Sequence, residues 1–315
     1  MVKRGSLALG LVLVLMWAPA VVAQPEKDFS VTLGVRPWIT TGYNEWNFAA
    51  NAGTPNVLSD LRWRGIDSLV TEIYGEVGWK RLLLLGNLGW GEIDDGVLID
   101  DDFLLNNRQG RFSHTRSTVK DDGLFYLNVD VGVRVLTWGQ PLLGQKSSEK
   151  GTGGYVDVVA GYQYWHEKYV AFGLTGTSQR SPSVKVFTDD FRWNSVRLGL
   201  RTGIPLISGF NFKGTIVGLP WSWYDFEDVH HLRTDLRQDP SFSSESNDGW
   251  GIGLDGAFSY QIWRGLSIEA GYRYWRIDSG EGDKFTHALT GTTKAKLNNT
   301  TFERYGPHFA LEYRW

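Results

Sequence analysis

Hydrophobic and polar residues alternate with a period of two along most of the chain. In residues 126–136, the sequence YLNVDVGVRVL places leucine and valine on one face and mainly polar residues on the other. Successive side chains of a β-strand point to opposite faces, so this pattern predicts a strand with one apolar and one polar side. Such a strand suits a transmembrane barrel, in which the apolar side contacts lipid and the polar side lines the lumen.

Ten such stretches are long enough to cross a bilayer as tilted strands, which requires about 9–11 residues each. They are residues 29–39, 61–79, 81–91, 122–138, 152–172, 189–206, 209–224, 247–263, 265–279 and 301–315. The last stretch alternates up to a terminal Trp315, which resembles the final strand of bacterial outer-membrane barrels. A soluble β-sandwich also alternates, but it rarely needs strands of this length. The pattern predicts an all-β fold, a ten-stranded antiparallel transmembrane β-barrel.

The first 23 residues have the pattern of a secretory signal peptide. Lys3 and Arg4 form a basic start, an apolar run covers residues 7–17, and Val21, Val22 and Ala23 provide a small-residue cleavage site. A membrane anchor is the alternative, but the run is short for a helical span. We therefore predict a signal peptide at 1–23, a barrel domain at 24–315, and export to the bacterial outer membrane.

Composition narrows the class of protein. The chain has 15 Trp, 13 Tyr, 16 Phe and 38 Gly but no cysteine, and its net charge is −3. The lack of cysteine excludes disulfides, thiol catalysis and thiolate metal sites. The near-neutral charge gives no indication of a nucleic-acid partner.

The connections between predicted strands alternate in length. An even number of strands brings both chain ends to the periplasmic side, so the short connections are expected there and the long polar ones outside. The short set lies near residues 79–81, 205–209 and 263–265, with a longer member at 139–151. The long set comprises residues 40–60, 92–121, 173–188, 225–246 and 280–300.

Two pairs of candidate catalytic residues lie in the long connections after the third and seventh strands. Asp100 and Asp102 are two residues apart, as are Asp228 and His230, so on extended backbone each pair shares one side. In a ring of ten strands, these two connections lie almost opposite each other across the barrel mouth.

The residue types suit activation of a water molecule. An Asp can fix the tautomer of a His so that the free ring nitrogen accepts a proton. Two facing carboxylates raise one another's pKa, so that one keeps a proton for a leaving group. The alternatives are an acidic rim that attracts cations, a calcium site without EF-hand spacing, and a chance occurrence of Asp-x-His.

At these residues the chain resembles the omptin family, ten-stranded outer-membrane endoproteases of the aspartyl type. The resemblance extends over nearly the whole mature chain and rests on motifs in the same order and at similar spacing. They are Ser59-Asp60-Leu61-Arg62-Trp63, Asp100-Asp101-Asp102-Phe103, Gly214-Thr215, Trp221, Asp228-Val229-His230, and Arg304-Tyr305 with Tyr313-Arg314-Trp315.

The resemblance implies a mechanism and a role for each residue. A water held between the dyad and the facing carboxylates attacks the scissile carbonyl directly, without a covalent intermediate. His230 would be the general base, Asp228 would orient it, and Asp100 and Asp102 would be the opposing couple. His231 is the rival base, although its side chain is expected on the other face.

Omptins cut beside basic residues, and two positions bear on this preference. Glu45 falls near the family's acidic residue on the first strand, after a short gap, and is a candidate substrate-binding residue. Phe226 occupies a position that is acidic in the family, which predicts a weakened or changed preference because an aromatic ring can stack on an Arg side chain but cannot form an ion pair with it.

The resemblance also implies that lipopolysaccharide is bound and required for activity, with no metal or other cofactor. The family's lipid-binding pattern falls on Tyr162, Tyr164 and His166, of which the first tyrosine alone is kept. The alternative for these aromatic residues is an interfacial girdle.

Two other functions remain open alongside an outer-membrane endopeptidase acting on peptides or proteins. One is a non-enzymatic barrel, an adhesin or structural protein in which the dyad is a relic. The other is a small diffusion channel, which is disfavoured because a ten-stranded barrel with many lumen-facing side chains should be largely filled.

Overall fold

The computed structural model describes residues 29–138, 153–207 and 209–315, and within them the chain is almost entirely β-strand. The predicted signal peptide and the 139–151 connection lie outside the described residues. The strands are β1 (Phe29–Phe48), β2 (Ser59–Trp79), β3 (Leu82–Leu105), β4 (Gln109–Lys120), β5 (Gly123–Trp138), β6 (Gly154–Gly176), β7 (Arg180–Ile207), β8 (Phe210–His230), β9 (Phe242–Trp263), β10 (Leu266–Asp278), β11 (Gly282–Ala288) and β12 (Gly291–Arg314).

These strands form one closed antiparallel barrel, in which β12 pairs with β1. Two of the ten positions around the ring are each filled by two strands in succession. β4 and β5 both lie between β3 and β6, and β10 and β11 both lie between β9 and β12. The first interruption falls at Asp121 and Asp122, each with φ of 64°, and the second includes Gly280 with φ of 68°. Left-handed backbone breaks the strand locally without changing its course. The prediction of a ten-stranded barrel is confirmed.

The predicted extent of the outer loops was wrong. Each of the ten predicted stretches coincides with a strand, but most strands continue well beyond them, and β4 and β11 lie wholly within predicted loops. The candidate catalytic residues consequently lie on strands rather than on loops. Short turns occur as predicted at Lys80–Arg81 and Arg264–Gly265.

A belt of exposed apolar side chains surrounds the periplasmic half of the barrel. It includes Leu33, Val35, Ile39, Leu69, Ile73, Leu84, Leu88, Val129, Val131, Leu198, Ile216, Leu254, Phe258, Ile268, Tyr272, Phe309 and Leu311. Aromatic residues at its edges, such as Trp79, Trp90, Trp223 and Trp263, suit the lipid–water interfaces. Within the described ranges, no helix has the length and apolar character needed to cross a membrane.

Inside this belt the lumen is charged. Arg273 lies 2.8 Å from both Glu72 and Asp255, and Arg36 lies 2.9 Å from Glu72. Ion pairs of this kind satisfy groups that the lipid-facing side could not accommodate. They surround a cavity of about 240 Å³.

Above the belt the polarity of the two faces of each strand is reversed. Inward side chains become aromatic and pack in a plug across the lumen, while outward side chains become polar. The plug consists of Trp38, Trp46, Trp63, Tyr126, Trp165, Tyr169, Phe191, Phe226, Trp275 and Phe302, all at most 6% exposed. The rings of Trp165 and Tyr126 are stacked at 4.8 Å, and those of Phe191 and Phe226 lie 4.6 Å apart. The plug gives the outer half of the barrel a hydrophobic core of its own.

A buried ion pair crosses the plug. Arg304 donates to both carboxylate oxygens of Glu167, at 2.8 and 2.6 Å, and the same carboxylate accepts hydrogen bonds from Trp165 and Tyr169. Both charged side chains are almost fully buried. Each charge therefore depends on the other for the interactions that water would otherwise supply.

We predict that Glu167→Gln lowers the free energy of unfolding by about 3–5 kcal/mol, because it leaves the Arg304 charge buried and unpaired. The matched control is Glu281→Gln, which breaks the exposed pair with Lys296 and should cost less than about 1 kcal/mol. The measurement is urea unfolding in lipid vesicles followed by tryptophan fluorescence. Equal losses in the two variants would contradict this role for the ion pair.

Candidate functional site

Asp228 and His230 lie at the outer end of β8, above the apolar belt, and they contact each other directly. His230 Nε2 is 2.8 Å from Asp228 Oδ2, and the Asp228 side chain is fully buried. Ser241 fixes the backbone here, since its hydroxyl accepts a hydrogen bond from the His230 amide at 3.0 Å and its own amide donates to the Asp228 carbonyl at 2.7 Å. The spacing of two residues therefore produces the predicted pair on one face of an extended strand.

The His230 ring is held between two aromatic rings. Phe187 and Phe242 contact it edge-on, with centroids 4.5 and 4.6 Å away, so that 17% of the side chain remains exposed. Burial lowers the pKa of His230 to about 3, and the positive charges of Arg233 and Lys284 act in the same direction. The imidazole is neutral at physiological pH and can accept a proton.

Asp100 and Asp102 lie on the outer part of β3 and face into the barrel. They are paired in register with Leu61 and Ser59, whose side chains are buried inside. Burial raises the pKa of Asp100 well above its usual range, and the negative charges of Asp102 and Asp228 raise it further. Burial also raises the pKa of Asp102, against hydrogen bonds from Ser59 and Ser113 and the field of His230.

The charges of the two pairs interact. Asp228 raises the pKa of Asp100, and Asp102 and His230 each shift the pKa of the other. The four residues that the sequence predicted from two distant strands thus share one cleft above the aromatic plug.

The middle residue of the Asp-Asp-Asp run points the other way. Asp101 faces the outer wall, where it accepts a hydrogen bond from Arg62, lies 3.1 Å from Arg111 Nη1 and lies 2.7 Å from His114 Nδ1. The sequence prediction gave Asp101 no role. Its ion pairs connect β3 with β2 and β4 beside the two inward aspartates.

Glu45 does not reach the cleft. Its neighbours Asn44 and Trp46 are buried inside the barrel, so the Glu45 side chain lies on the outer wall. There it accepts hydrogen bonds from Tyr43 and from Arg108, the latter at 3.0 Å. The prediction of Glu45 as a substrate-binding residue therefore needs correction: Glu45 follows the exposed Leu33, Val35 and Ile39 by even numbers of residues, so alternation along β1 directs it outward.

Phe226 lies directly beneath the dyad, two residues before Asp228. It is fully buried against Phe191 and Trp46, with centroids 4.6 and 5.2 Å away. The position that is acidic in the omptin family is consequently part of the packed aromatic plug and offers no carboxylate to the cleft.

His231 lies on the opposite face from His230. Its side chain is on the outer surface, with Nε2 2.9 Å from the Thr188 hydroxyl. It does not share the cleft with the three aspartates.

Two further buried ionisable side chains, Asp189 and Lys284, were missed by the sequence prediction. Asp189 is the direct cross-strand partner of Asp228. Lys284 lies between the rings of Phe48 and Phe242, with its ammonium 4.0 and 4.1 Å from their centroids and 2.5 Å from the Thr286 hydroxyl. Burial lowers the pKa of Lys284 to about 7, while Asp228 opposes this shift. Both residues lie in or next to stretches predicted as outer loops, where alternation gave no inward face.

The described residues provide no metal centre. Across residues 29–138, 153–207 and 209–315, no three carboxylate or imidazole side chains are grouped to bind a metal ion.

The outer wall where the resemblance predicts lipopolysaccharide does not fit a phosphate group. Tyr162 donates a hydrogen bond to Asn194, and His166 lies 3.1 Å from Asp190. Arg192 is already engaged by three carboxylates, at 3.0 Å from Asp190, 3.6 Å from Asp225 and 2.7 Å from Glu227. These acids outnumber the cation and would repel an anionic headgroup.

Comparison with known proteins identifies the family. A family profile described as Pom, Protochlamydia outer membrane protein, matches residues 39–314. The chain belongs to this Pom family. The match places the protein in the bacterial outer membrane, where the apolar belt contacts lipid. No curated protein matches the sequence.

A solved structure with the same fold has low sequence identity to this chain. The outer membrane protease OmpT from Escherichia coli superposes with a TM-score of 0.68 at 12% identity, over 93% of this chain and 99% of OmpT. The transport unit of the autotransporter AIDA-I from Escherichia coli reaches a TM-score of 0.29 at 12% identity, over 97% of this chain and 96% of that one. The omptin resemblance is therefore one of fold, and the family that the sequence matches is Pom.

We predict that lipopolysaccharide stabilises the refolded protein no more than a neutral phospholipid does, because the wall around Arg192 is acidic. The measurement is the shift in Tm when either lipid is added to the protein in detergent. The combined Asp190→Asn and Glu227→Gln variant releases Arg192 and should gain a shift specific to lipopolysaccharide. A large specific shift in the unmodified protein would contradict the misfit.

Proposed function

We propose that this Pom-family protein is a surface endopeptidase of the outer membrane that hydrolyses peptide bonds with an activated water. The observation that carries the proposal is the juxtaposition of two pairs in one cleft, with Asp100 near Asp228 and Asp102 near His230. The OmpT-like fold supports it, since the protein with that fold named above is an outer membrane protease.

In this mechanism His230 is the general base. Because its Nε2 is directed at Asp228, the ring's Nδ1 is the nitrogen that remains to accept a proton. A water between His230 and the facing aspartates gives up its proton to the imidazole as its oxygen attacks the scissile carbonyl. The Asp228 carboxylate then stabilises the imidazolium that forms.

Asp100 and Asp102 have the complementary role. Their raised pKa values favour retention of one proton between them at neutral pH. One carboxylate orients the water, and the retained proton passes to the leaving amine when the tetrahedral intermediate collapses. No covalent enzyme intermediate is needed.

The cleft favours apolar substrate side chains over basic ones. Phe187 and Phe242 flank His230, and the fully buried Phe226 lies in the aromatic plug at the position that is acidic in the omptin family. Glu45, the acidic residue expected to bind a basic side chain, faces the outer wall instead. An Arg or Lys side chain would thus be desolvated in this cleft without an acidic partner apart from the proposed catalytic aspartates.

The plug argues against a diffusion channel. It fills the lumen with packed aromatic rings between the cleft and the cavity below, and the ion pair of Arg304 with Glu167 crosses it. Planar-bilayer recordings should accordingly show no steady conductance.

We predict that His230→Ala lowers the rate of peptide cleavage by at least about 100-fold, because it removes the general base. The matched control is His231→Ala, which removes the neighbouring imidazole on the outer face and should leave the rate unchanged. Cleavage is followed by mass spectrometry, and heat-modifiable gel mobility verifies that both barrels are folded. Full activity in His230→Ala would contradict the assignment of the general base. An unmodified protein that cleaves no peptide would favour an adhesin or structural role.

We also predict that cuts in a mixed peptide library cluster beside apolar or aromatic residues. Glu45→Gln should leave this preference unchanged, because Glu45 lies outside the cleft. The residues flanking each cut are identified by mass spectrometry. Cuts concentrated beside Arg or Lys, and lost in Glu45→Gln, would show that Glu45 contacts the substrate after all.

A further inference from the structure

Asp189 has no role in the mechanism described above, yet it lies directly behind the dyad. It is paired in register with Asp228 across β7 and β8, and both side chains are fully buried. Directly opposed residues of antiparallel strands share a face, with Cβ atoms roughly 4.5–5.5 Å apart. Two carboxyl groups are therefore neighbours in a site closed to water.

In each of the two carboxyl groups, one oxygen has a hydrogen-bond partner and the other has none among the described residues. Trp63 Nε1 donates to Asp189 Oδ2 at 3.0 Å, and Asp228 Oδ2 lies 2.8 Å from His230 Nε2. The remaining oxygen of each carboxyl, Oδ1, is buried without a partner among the described residues. Two unpartnered oxygens on adjacent carboxyls are both satisfied if one of them carries a proton.

We propose that Asp189 is a positioning residue that is protonated and donates its hydroxyl to the Asp228 carboxylate, so that the two groups share one proton. A neutral acid suits the Asp189 environment, because its carbonyl oxygen accepts from Trp63 while its hydroxyl donates. Asp228 keeps the negative charge because it accepts a hydrogen bond from His230 and because the positive charge of Lys284 stabilises its carboxylate. The result is a chain of hydrogen bonds from Trp63 through Asp189 and Asp228 to His230.

The surrounding charges agree with this assignment. Burial and the charge of Asp228 raise the pKa of Asp189 well above its usual range. Burial also raises the pKa of Asp228, whereas Lys284 opposes that shift. Asp228 in turn raises the pKa of Asp100, on the far side of the cleft.

In the proposed peptidase, the shared proton would hold Asp228 and His230 in one orientation. A proton held behind Asp228 sets the rotamer of its carboxyl group, which in turn fixes the tautomer and plane of the His230 ring. This consequence rests on the proposed function, whereas the shared proton itself does not.

The first test detects the proton without any substrate. Infrared difference spectra at neutral pH should show the C=O stretch of a protonated carboxylic acid that disappears in Asp189→Asn. In Asp228→Asn the band should stay but shift in frequency, because the carboxylate that accepts its hydrogen bond is gone. Asp190→Asn, which changes the outward-facing neighbour, is the control and should leave the band intact. An unchanged band in Asp189→Asn, or a band at the same frequency in Asp228→Asn, would overturn the proposal.

The second test measures the effect on the proposed reaction. Asp189→Leu should lower kcat by about tenfold to a hundredfold with little change in KM, the scale expected for losing a buried hydrogen bond to a charged group. Asp189→Asn should restore most of the rate, because its amide still donates to Asp228. A band that behaves as predicted in a protein that cleaves no peptide would refute the peptidase and leave the shared proton standing. An active protein without the band would refute the shared proton and leave the peptidase standing.

Discussion

The structure depends on a reversal of polarity along each strand. In the membrane belt the outward side chains must be apolar, because lipid offers no hydrogen bonds, and the lumen takes the charges. Above the belt the outside meets water, so the outward face becomes polar and the inward face aromatic. The reversal yields two cores in one barrel: an ion-paired lumen around Arg273 and Glu72, and an aromatic plug around Trp165 and Phe226.

The same reversal creates the conditions for chemistry. Carboxyl groups placed at the rim above an aromatic plug are shielded from water and yet remain next to an open end. Desolvation therefore raises the pKa of Asp100 and lowers that of His230, which keeps a proton on the Asp100–Asp102 couple and keeps the imidazole neutral.

The sequence was sufficient for the barrel, its ten positions and the four cleft residues, because alternation and spacing of two are local properties of extended chains. Glu45 was assigned to the cleft from the family resemblance, although the alternation of β1, with Leu33, Val35 and Ile39 facing lipid, directs its side chain outward. Asp189 was missed because its importance depends on its position opposite Asp228, 39 residues later in the chain. The pairing register of β7 with β8 is needed to see this. The outer strands were mistaken for loops because polar outward residues look like loop sequence when the inward face is not known.

The most direct test of the account is whether the outer ends of β3 and β8 face each other across one cleft. The chain has no cysteine, so introduced pairs report proximity without background. We expect a short thiol-reactive cross-linker to join Asp102→Cys to His230→Cys in the folded barrel, whereas Asp102→Cys paired with His231→Cys should stay unlinked. Equal linking of both pairs, or of neither, would contradict the arrangement on which the proposed activity rests.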